Sequence, residues 1–252
     1  FNDSQKTYKV TPVFKGTYPE SFAAAIAAFR AGNAPNILQV FEVGTASMMA
    51  SKGAIVPVTE VMRSAGVKFD PSVYVPAVAG YYTAPNGQML SLPFNSSTTV
   101  FHYNKDAFKA AGLDPEKPPT TWPEVARAAA SLKIAGHKCP FTTSWQSWTQ
   151  LESFSAWHNV EFATKNNGFN GLDTRLAVNT PLHVRHIQNL ANMSQQGLFV
   201  YKGRNNSADA TFVSGECAMT TGSSALYGAV KRNAKFTGGI STLPYYPDVP
   251  GA

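Results

Sequence analysis

Charge is scarce in this chain. Only 14% of its 252 residues are Asp, Glu, Lys or Arg, against roughly 25% in an average soluble domain. Lys and Arg outnumber Asp and Glu by 21 to 15, a net charge of +6, yet the bases are scattered singly. The densest group, Lys231, Arg232 and Lys235, is short and has no aromatic interleaving. The excess reflects few acids rather than a basic patch, which argues against nucleic acid and against an anionic membrane surface. Cysteine is equally sparse, with Cys139 and Cys217 alone. A redox C-x-x-C is absent, and two thiols cannot build a Cys-based structural zinc site. In an oxidising compartment the two could pair, and two buried free thiols fit the sequence as well. No apolar stretch reaches the ~18 residues of a membrane helix. The start, FNDSQKTYKV, has no initiator Met, basic n-region or apolar h-region, so it reads as a processed or internal start. The end, PDVPGA, reads likewise as cut.

Catalytic signatures are missing too. G-x-S-x-G, Walker A and G-x-G-x-x-G do not occur, and no cofactor is implied. His183 and His186 stand three apart on a predicted helix, but no carboxylate or third ligand accompanies them, so a metal is not expected. No Ser/His/Asp set stands out.

What the chain does have is aromatic and hydroxyl-bearing surface. Aromatics make up 12%, with ten Tyr among them, a composition suited to an exported protein that meets polar ligands. Apolar runs of strand character alternate with helical stretches, the α/β pattern. The runs 8–14 (YKVTPVF) and 36–43 (NILQVFEV) read as strands. Between them Pro19 opens a helix with Phe22, Ile26 and Phe29 on one face, closed by Gly32. A helix is expected over 45–52, then irregular chain over 57–87, then the extended stretches MLSLPF and TTVFHY. Asn104 can cap the helix KDAFKAAG. Thr121 with Glu124 forms a capping box, with Pro123 in the first turn. CPFTTSW and ECAMTT (216–221) read as strands, 148–158 as a helix, PLHVRHIQNLANMSQQG as a long amphipathic helix, GSSALYGAV as a helix start and GGISTLPYY as a final strand. With no repeat and no low-complexity linker, two lobes are expected: 1–101, with 242–252 returning to it, and 102–241. Extended hinge strands near 97–103 and 238–246 would join them.

In open α/β sheets the ligand crevice lies at the carboxyl ends of the strands. Glu42 ends ILQVFE. A charge there is costly unless paired, and an acceptor-only carboxylate suits polyol hydroxyls; a structural carboxylate at the next helix start is the plainer alternative. ECAMTT runs into Gly222-Ser223-Ser224 and a helix, which makes an anion site or an ordinary N-cap. Trp145 follows a strand and opens a helix, where an aromatic platform against C–H groups is a natural use. Trp148 shares a helical face with Leu151 and Phe154, as a core residue would. FNSS (94–97) puts Ser97 at the lobe junction, and Tyr18 starts a helix at another strand-to-helix corner. By chemistry alone the chain binds something polar.

The segments KGTYPESFAAAIAAFRAGNAPNILQVFEVGTASMMASK, LPFNSSTTVFHYNKDAFKAAGLDP, SWQSWTQLESFSAWH and GECAMTTGSS resemble, in register across nearly the whole chain, the periplasmic solute-binding proteins of ABC importers that take sn-glycerol-3-phosphate. They fall within the extracellular solute-binding family that also contains maltodextrin binders. YNKDAF and the later G-x-C/T-A-M-T are general to the larger family, whereas FEVGTA, FNSS and SWQSW are more specific. The resemblance implies a type II periplasmic-binding-protein fold of two α/β lobes that close on ligand, export to the periplasm, the membrane subunits of an ABC transporter as partner, a monomer, and no catalysis. It implies a cleft lined by Tyr18, Glu42, Ser97, Trp145 and Ser223, with Trp148 nearby, and a ligand that is glycerol-3-phosphate or a glycerophosphodiester such as glycerophosphocholine. Glu42 and Tyr18 would meet hydroxyl and phosphate oxygens, Ser97 and Ser223 mainly the phosphate, and Trp145 the glycerol carbons. It further implies chain before Phe1 and after Ala252, the latter supplying a Gly, a Tyr and an Arg to the phosphate, so these 252 residues alone are expected to bind weakly or not at all. The alternatives are a maltodextrin-type sugar binder and, from another class, an α/β enzyme acting on a phosphorylated polyol with Glu42 as its base.

Overall fold

The computed structural model describes residues 1–41, 44–49, 51, 53–171 and 173–249. The chain divides into two units by internal contacts, Phe1–Ser96 and Ser97–Ala252.

In the first unit the helices are α1 (Tyr18–Arg30), α2 (Thr45–Met49), α3 (Val58–Ser64) and α4 (Pro76–Tyr81). The start of α1 is set locally. Gly16 takes a left-handed φ of +93° with the Glu20 carboxylate occupying the place a side chain would need. That carboxylate accepts the Thr17 N–H at 2.6 Å and the Thr17 hydroxyl at 2.8 Å, tying off the open first turn. The expected strand at 8–14 does not form, and 36–41 is also irregular; Glu42 and Val43, at the end of the second run, lie outside the described residues. A strand needs a neighbour to take its backbone groups, and no ladder receives these runs within the described part of this unit. Val13, Phe14 and Ile37 accordingly stay 67%, 90% and 83% exposed. The Asn2 side chain bonds both the N–H and the C=O of Val10 at 2.8 Å instead.

The second unit follows the predicted alternation closely. Its helices are α5 (Lys105–Ala110), α6 (Trp122–Ile134), α7 (Ser153–Trp157), α8 (Pro181–Gln195), α9 (Asp209–Val213) and α10 (Leu226–Asn233). Asn104 caps α5 through the Ala107 N–H at 2.9 Å, and Glu124 accepts the Thr121 N–H at 3.0 Å in the expected capping box. Four strands, β1 (Thr99–Asn104), β2 (Cys139–Thr143), β3 (Cys217–Ser223) and β4 (Gly238–Ser241), form a mixed sheet in the order β2-β3-β1-β4. β2 and β3 are parallel, and β1 runs antiparallel to both β3 and β4. Trp122, Val125, Ala129 and Leu132 recur at helical spacing along α6 and are buried with Phe101, Phe141, Phe154 and Met219 in the main core. Residues 245–248 pack in this unit. Tyr246 is buried against Trp122, Tyr245 O accepts the Trp122 N–H at 3.0 Å, and Arg185 pairs with Asp248 while lying 4.1 Å over the Tyr246 ring.

The predicted helix over 148–158 is split. Trp148–Glu152 is a π-helical turn, which then passes into α7. Widening the turn lets the consecutive residues Thr149 and Gln150 both point inward.

Cys139 and Cys217 are opposed across the β2–β3 ladder and joined by a disulfide, with Cα atoms 4.5 Å apart. The bond spans 78 residues of sequence, and closing a loop of that size in the unfolded chain corresponds to ~4 kcal/mol in the chain-entropy account. Replacing both cysteines by Ser is therefore expected to lower the urea-unfolding free energy of this unit by about 2–5 kcal/mol. An unchanged unfolding midpoint would contradict it.

Candidate functional site

Two strand-to-helix corners lie side by side where the parallel strands β2 and β3 end. The Ser144 N–H donates to Thr221 O at 2.9 Å, so the chain leaving β2 at Ser144-Trp145 stays paired with the chain leaving β3 at Gly222-Ser223. Gly222 lies beside this contact: a Cβ there would stand 3.5 Å from Ser144 Oγ and 4.0 Å from an Asp209 carboxylate oxygen, ordinary contact distances.

Below the corners runs a fully hydrogen-bonded polar layer. Thr143 Oγ1 lies 2.8 Å from Thr221 Oγ1 and 3.0 Å from Thr149 Oγ1. The Gln150 amide N–H2 donates to Thr143 Oγ1 at 2.8 Å and to Thr221 Oγ1 at 2.7 Å. Its carbonyl pairs with His186 Nε2 at 2.9 Å, and His186 Nδ1 faces the Tyr246 hydroxyl at 3.4 Å. A buried group with every partner in place fixes geometry, whereas a half-satisfied one costs ~1–3 kcal/mol.

Trp145 is half-buried and takes a left-handed φ of +50°. That conformation favours Gly, Asn or Asp and costs a bulky residue of order 1–3 kcal/mol. The neighbours hold it there. Its N–H donates to Asn205 O at 2.7 Å, and its carbonyl accepts the Thr149 N–H at 2.9 Å. The Gln146 amide donates to Gly203 O at 2.5 Å, and the Ser144 hydroxyl donates to the Asp209 carboxylate. Burial pushes the Asp209 carboxyl above the usual range, and the Ser144 hydrogen bond opposes that.

Ser223 is half-buried. Its Oγ accepts the Ala225 N–H at 3.1 Å, which leaves the hydroxyl proton free to be donated outward. Its carbonyl accepts from the buried His102 Nε2 at 3.0 Å. The neighbouring Ser224 exchanges bonds with Thr98, Thr98 N–H to Ser224 Oγ at 3.2 Å and Ser224 N–H to Thr98 O at 2.8 Å. The exposed Ser97 thereby reaches the same edge as Ser223. So in the second unit the segments carrying Trp145 and Ser223 leave the sheet side by side, Ser97 precedes the Thr98 that bonds Ser224, and Trp148 is half-buried three residues beyond Trp145. Tyr18 is the first residue of α1 in the first unit, 41% exposed and stacked on Phe41 at 5.3 Å. Glu42 lies outside the described residues.

Ser144, His102 and Asp209 escaped the sequence reading. Ser144 carried a faint signal as the last hydroxyl of CPFTTS, while Asp209 stands 64 residues further on with nothing to link it to Trp145. His183 and His186 are both buried and hydrogen-bonded in the core, His183 to Ser155 Oγ at 2.8 Å and to Thr180 Oγ1 at 2.7 Å. Among the described residues no cluster of three or more His, Cys, Asp or Glu suited to a metal occurs.

The solved structures that resemble the chain are two-lobed periplasmic solute-binding proteins. One is UgpB from Mycobacterium tuberculosis in complex with glycerophosphocholine, with a TM-score of 0.81 and 22% identity, covering 98% of this chain and 62% of that one. Another is the cyclic alpha-maltosyl-1,6-maltose binding protein of Arthrobacter globiformis, with a TM-score of 0.69 and 22% identity, covering 92% of this chain and 57% of that one. At those identities the likeness establishes the fold. The chain matches the bacterial extracellular solute-binding protein family over residues 1–251 and belongs to it. Its relatives include the sn-glycerol-3-phosphate-binding periplasmic proteins UgpB of Pectobacterium atrosepticum, 55% identical, and Salmonella typhimurium, 54% identical. Each match covers 100% of this chain and 57% and 58%, respectively, of the relative, so the chain spans a little over half the length of the curated relatives it matches.

The polar layer also makes the fold sensitive to acid. Burial holds His102, His158, His183 and His186 below the ordinary 6.5, His186 to about 3. The unfolded chain binds protons below pH 6.5 that these folded imidazoles refuse, so their contribution is intact above that pH and lost as pH falls toward the folded values. Each such group costs about 1.4 kcal/mol per pH unit once well below its unfolded pKa. Denaturant unfolding free energies should therefore fall from pH 7 to about 5, and His186→Gln should flatten that slope by about one proton. An equal slope in the variant would refute the assignment.

Proposed function

We propose that this chain belongs to the solute-binding subunit of an ABC importer, which captures sn-glycerol-3-phosphate or a glycerophosphodiester and performs no chemistry on it. The observation that supports this is the pairing of the chain segments that leave β2 and β3 and carry Trp145 and Ser223, with Ser97 beside the Thr98–Ser224 bonds, in a chain more than half identical to proteins named for binding sn-glycerol-3-phosphate. A phosphate oxygen takes hydrogen bonds and gives none once ionised, so hydroxyl donors such as Ser97 and Ser223 suit it. The Trp145 ring offers an apolar face for the glycerol carbons, and Trp148 supports it from the next turn. Tyr18 and Glu42 complete the proposed set, Glu42 accepting from glycerol hydroxyls.

A carrier rather than an enzyme is favoured by what the titratable groups are doing. His102, His158, His183 and His186 are each engaged in core hydrogen bonds, so none stands as a ready general base. Periplasmic residence agrees with the Cys139–Cys217 disulfide, a bond that persists in oxidising compartments, and with the relatives' names. The remaining partners in this reading are the transporter's membrane subunits, met by a monomer.

Calorimetric titration with sn-glycerol-3-phosphate, glycerophosphocholine and maltose, on this chain and on any longer form in which it occurs, is the test. Binding of a glycerol phosphate that weakens at least about tenfold, or ~1.4 kcal/mol, in both Trp145→Ala and Ser223→Ala supports the proposal. Binding of maltose alone would replace the ligand, and turnover of glycerol-3-phosphate would replace the class.

A further inference from the structure

We propose that Asp209, acting through Ser144, is the positioning residue that sets the Trp145 corner and with it the affinity of the ligand site. The inference rests on the reading of that corner as part of the site. It comes from where the corner's restraints originate.

A left-handed Trp145 does not hold itself. Within its own helix the bonds to Thr149 N–H and Thr149 Oγ1 fix only the carbonyl side of the corner. The amide side is held by one segment, residues 203–209. Gly203 O takes the Gln146 amide, Asn205 O takes the Trp145 N–H, and the Asp209 carboxylate takes the Ser144 hydroxyl. Two of these anchors sit in left-handed backbone themselves, Gly203 at φ +107° and Asn205 at φ +50°, so the segment is a shaped loop rather than a slack one.

Asp209 is where that loop is pinned. It opens α9, whose Phe212 is fully buried and packs 5.9 Å from the His102 ring. His102 in turn bonds the Ser223 carbonyl. One short helix thus reaches both corners, Trp145 through Asp209 and Ser144, and Ser223 through Phe212 and His102. A carboxylate withdrawn from water is an unfavourable choice where only packing is needed. Its use here is the directional acceptor that fixes the Ser144 hydroxyl.

The test compares Asp209→Ala, Asp209→Asn and Ser144→Ala by glycerophosphocholine and glycerol-3-phosphate titration. Acrylamide quenching of Trp145, isolated by difference against Trp145→Phe, gives a readout that needs no ligand. Asn keeps an acceptor for Ser144, so Asp209→Asn should bind within about threefold of the parent. Asp209→Ala and Ser144→Ala should each lose about tenfold or more and expose Trp145 to quencher. Parental affinity and quenching in both Ala variants would overturn the proposal, as would equal losses in Asp209→Asn and Asp209→Ala. Should Asp209→Ala fail to fold, Ser144→Ala decides alone. If the parent binds neither ligand, the functional reading falls, and the quenching comparison still decides whether Asp209 positions Trp145.

Discussion

The parallel pairing of β2 with β3 is the constraint on which the rest of the second unit depends. At one end the register sets Cys139 opposite Cys217, where the disulfide closes it. At the other it sets Thr143 opposite Thr221, where two hydroxyls meet at 2.8 Å and share the Gln150 amide. A slip of one residue would turn every side chain to the opposite face, unpairing the cysteines and stranding Gln150 in the core. Because the pair is locked at both ends, the two chains leave the sheet together. The segments that carry Trp145 and Ser223 are adjacent for that reason, joined by the Ser144 N–H to Thr221 O bond.

In the proposed reading, a site built this way would take up an anion mainly through hydroxyl and amide donors. The chain has few charged residues, and the corners themselves carry the Ser144 and Ser223 hydroxyls, backbone amides and the withdrawn Asp209 carboxylate. Preorganised neutral donors gain strength where water is excluded, and they do not repel the uncharged part of a ligand. The same neutrality appears underneath, where burial keeps the imidazoles uncharged and bound to carbonyls and hydroxyls. The corresponding cost is acid sensitivity, since a proton on any of these rings needs solvation that the core does not provide.

Much of the second unit is legible in the sequence because its signals are local. Asn104 before KDAFKAAG and Thr121 with Glu124 declare their helices through side chains that bond within three residues. The strands at 139–143 and 217–223 read correctly as short apolar runs before hydroxyl-rich corners. Prediction fails where the deciding partner is remote. The run 8–14 has the composition of a strand but no ladder to join among the described residues, the π-helical turn at Trp148 lets Gln150 bond two strands whose facing threonines are 78 residues apart, and Asp209 reaches the Trp145 corner through its bond to Ser144, 65 residues away. At the candidate site, Trp145 and Ser223 stand out because they lie at strand ends, where such folds present ligand contacts, while Ser97 stands just before β1. The residues that aim them carried no such marker.

The central claim is that the paired corners after β2 and β3 are the ligand-binding edge of this unit. Amide hydrogen exchange with and without glycerophosphocholine tests it most directly. Ligand should slow exchange at Trp145, Ser223 and their immediate neighbours, above a β2–β3 ladder that is already protected without it. Protection confined to other surfaces, with both corners unaffected by bound ligand, would contradict the account.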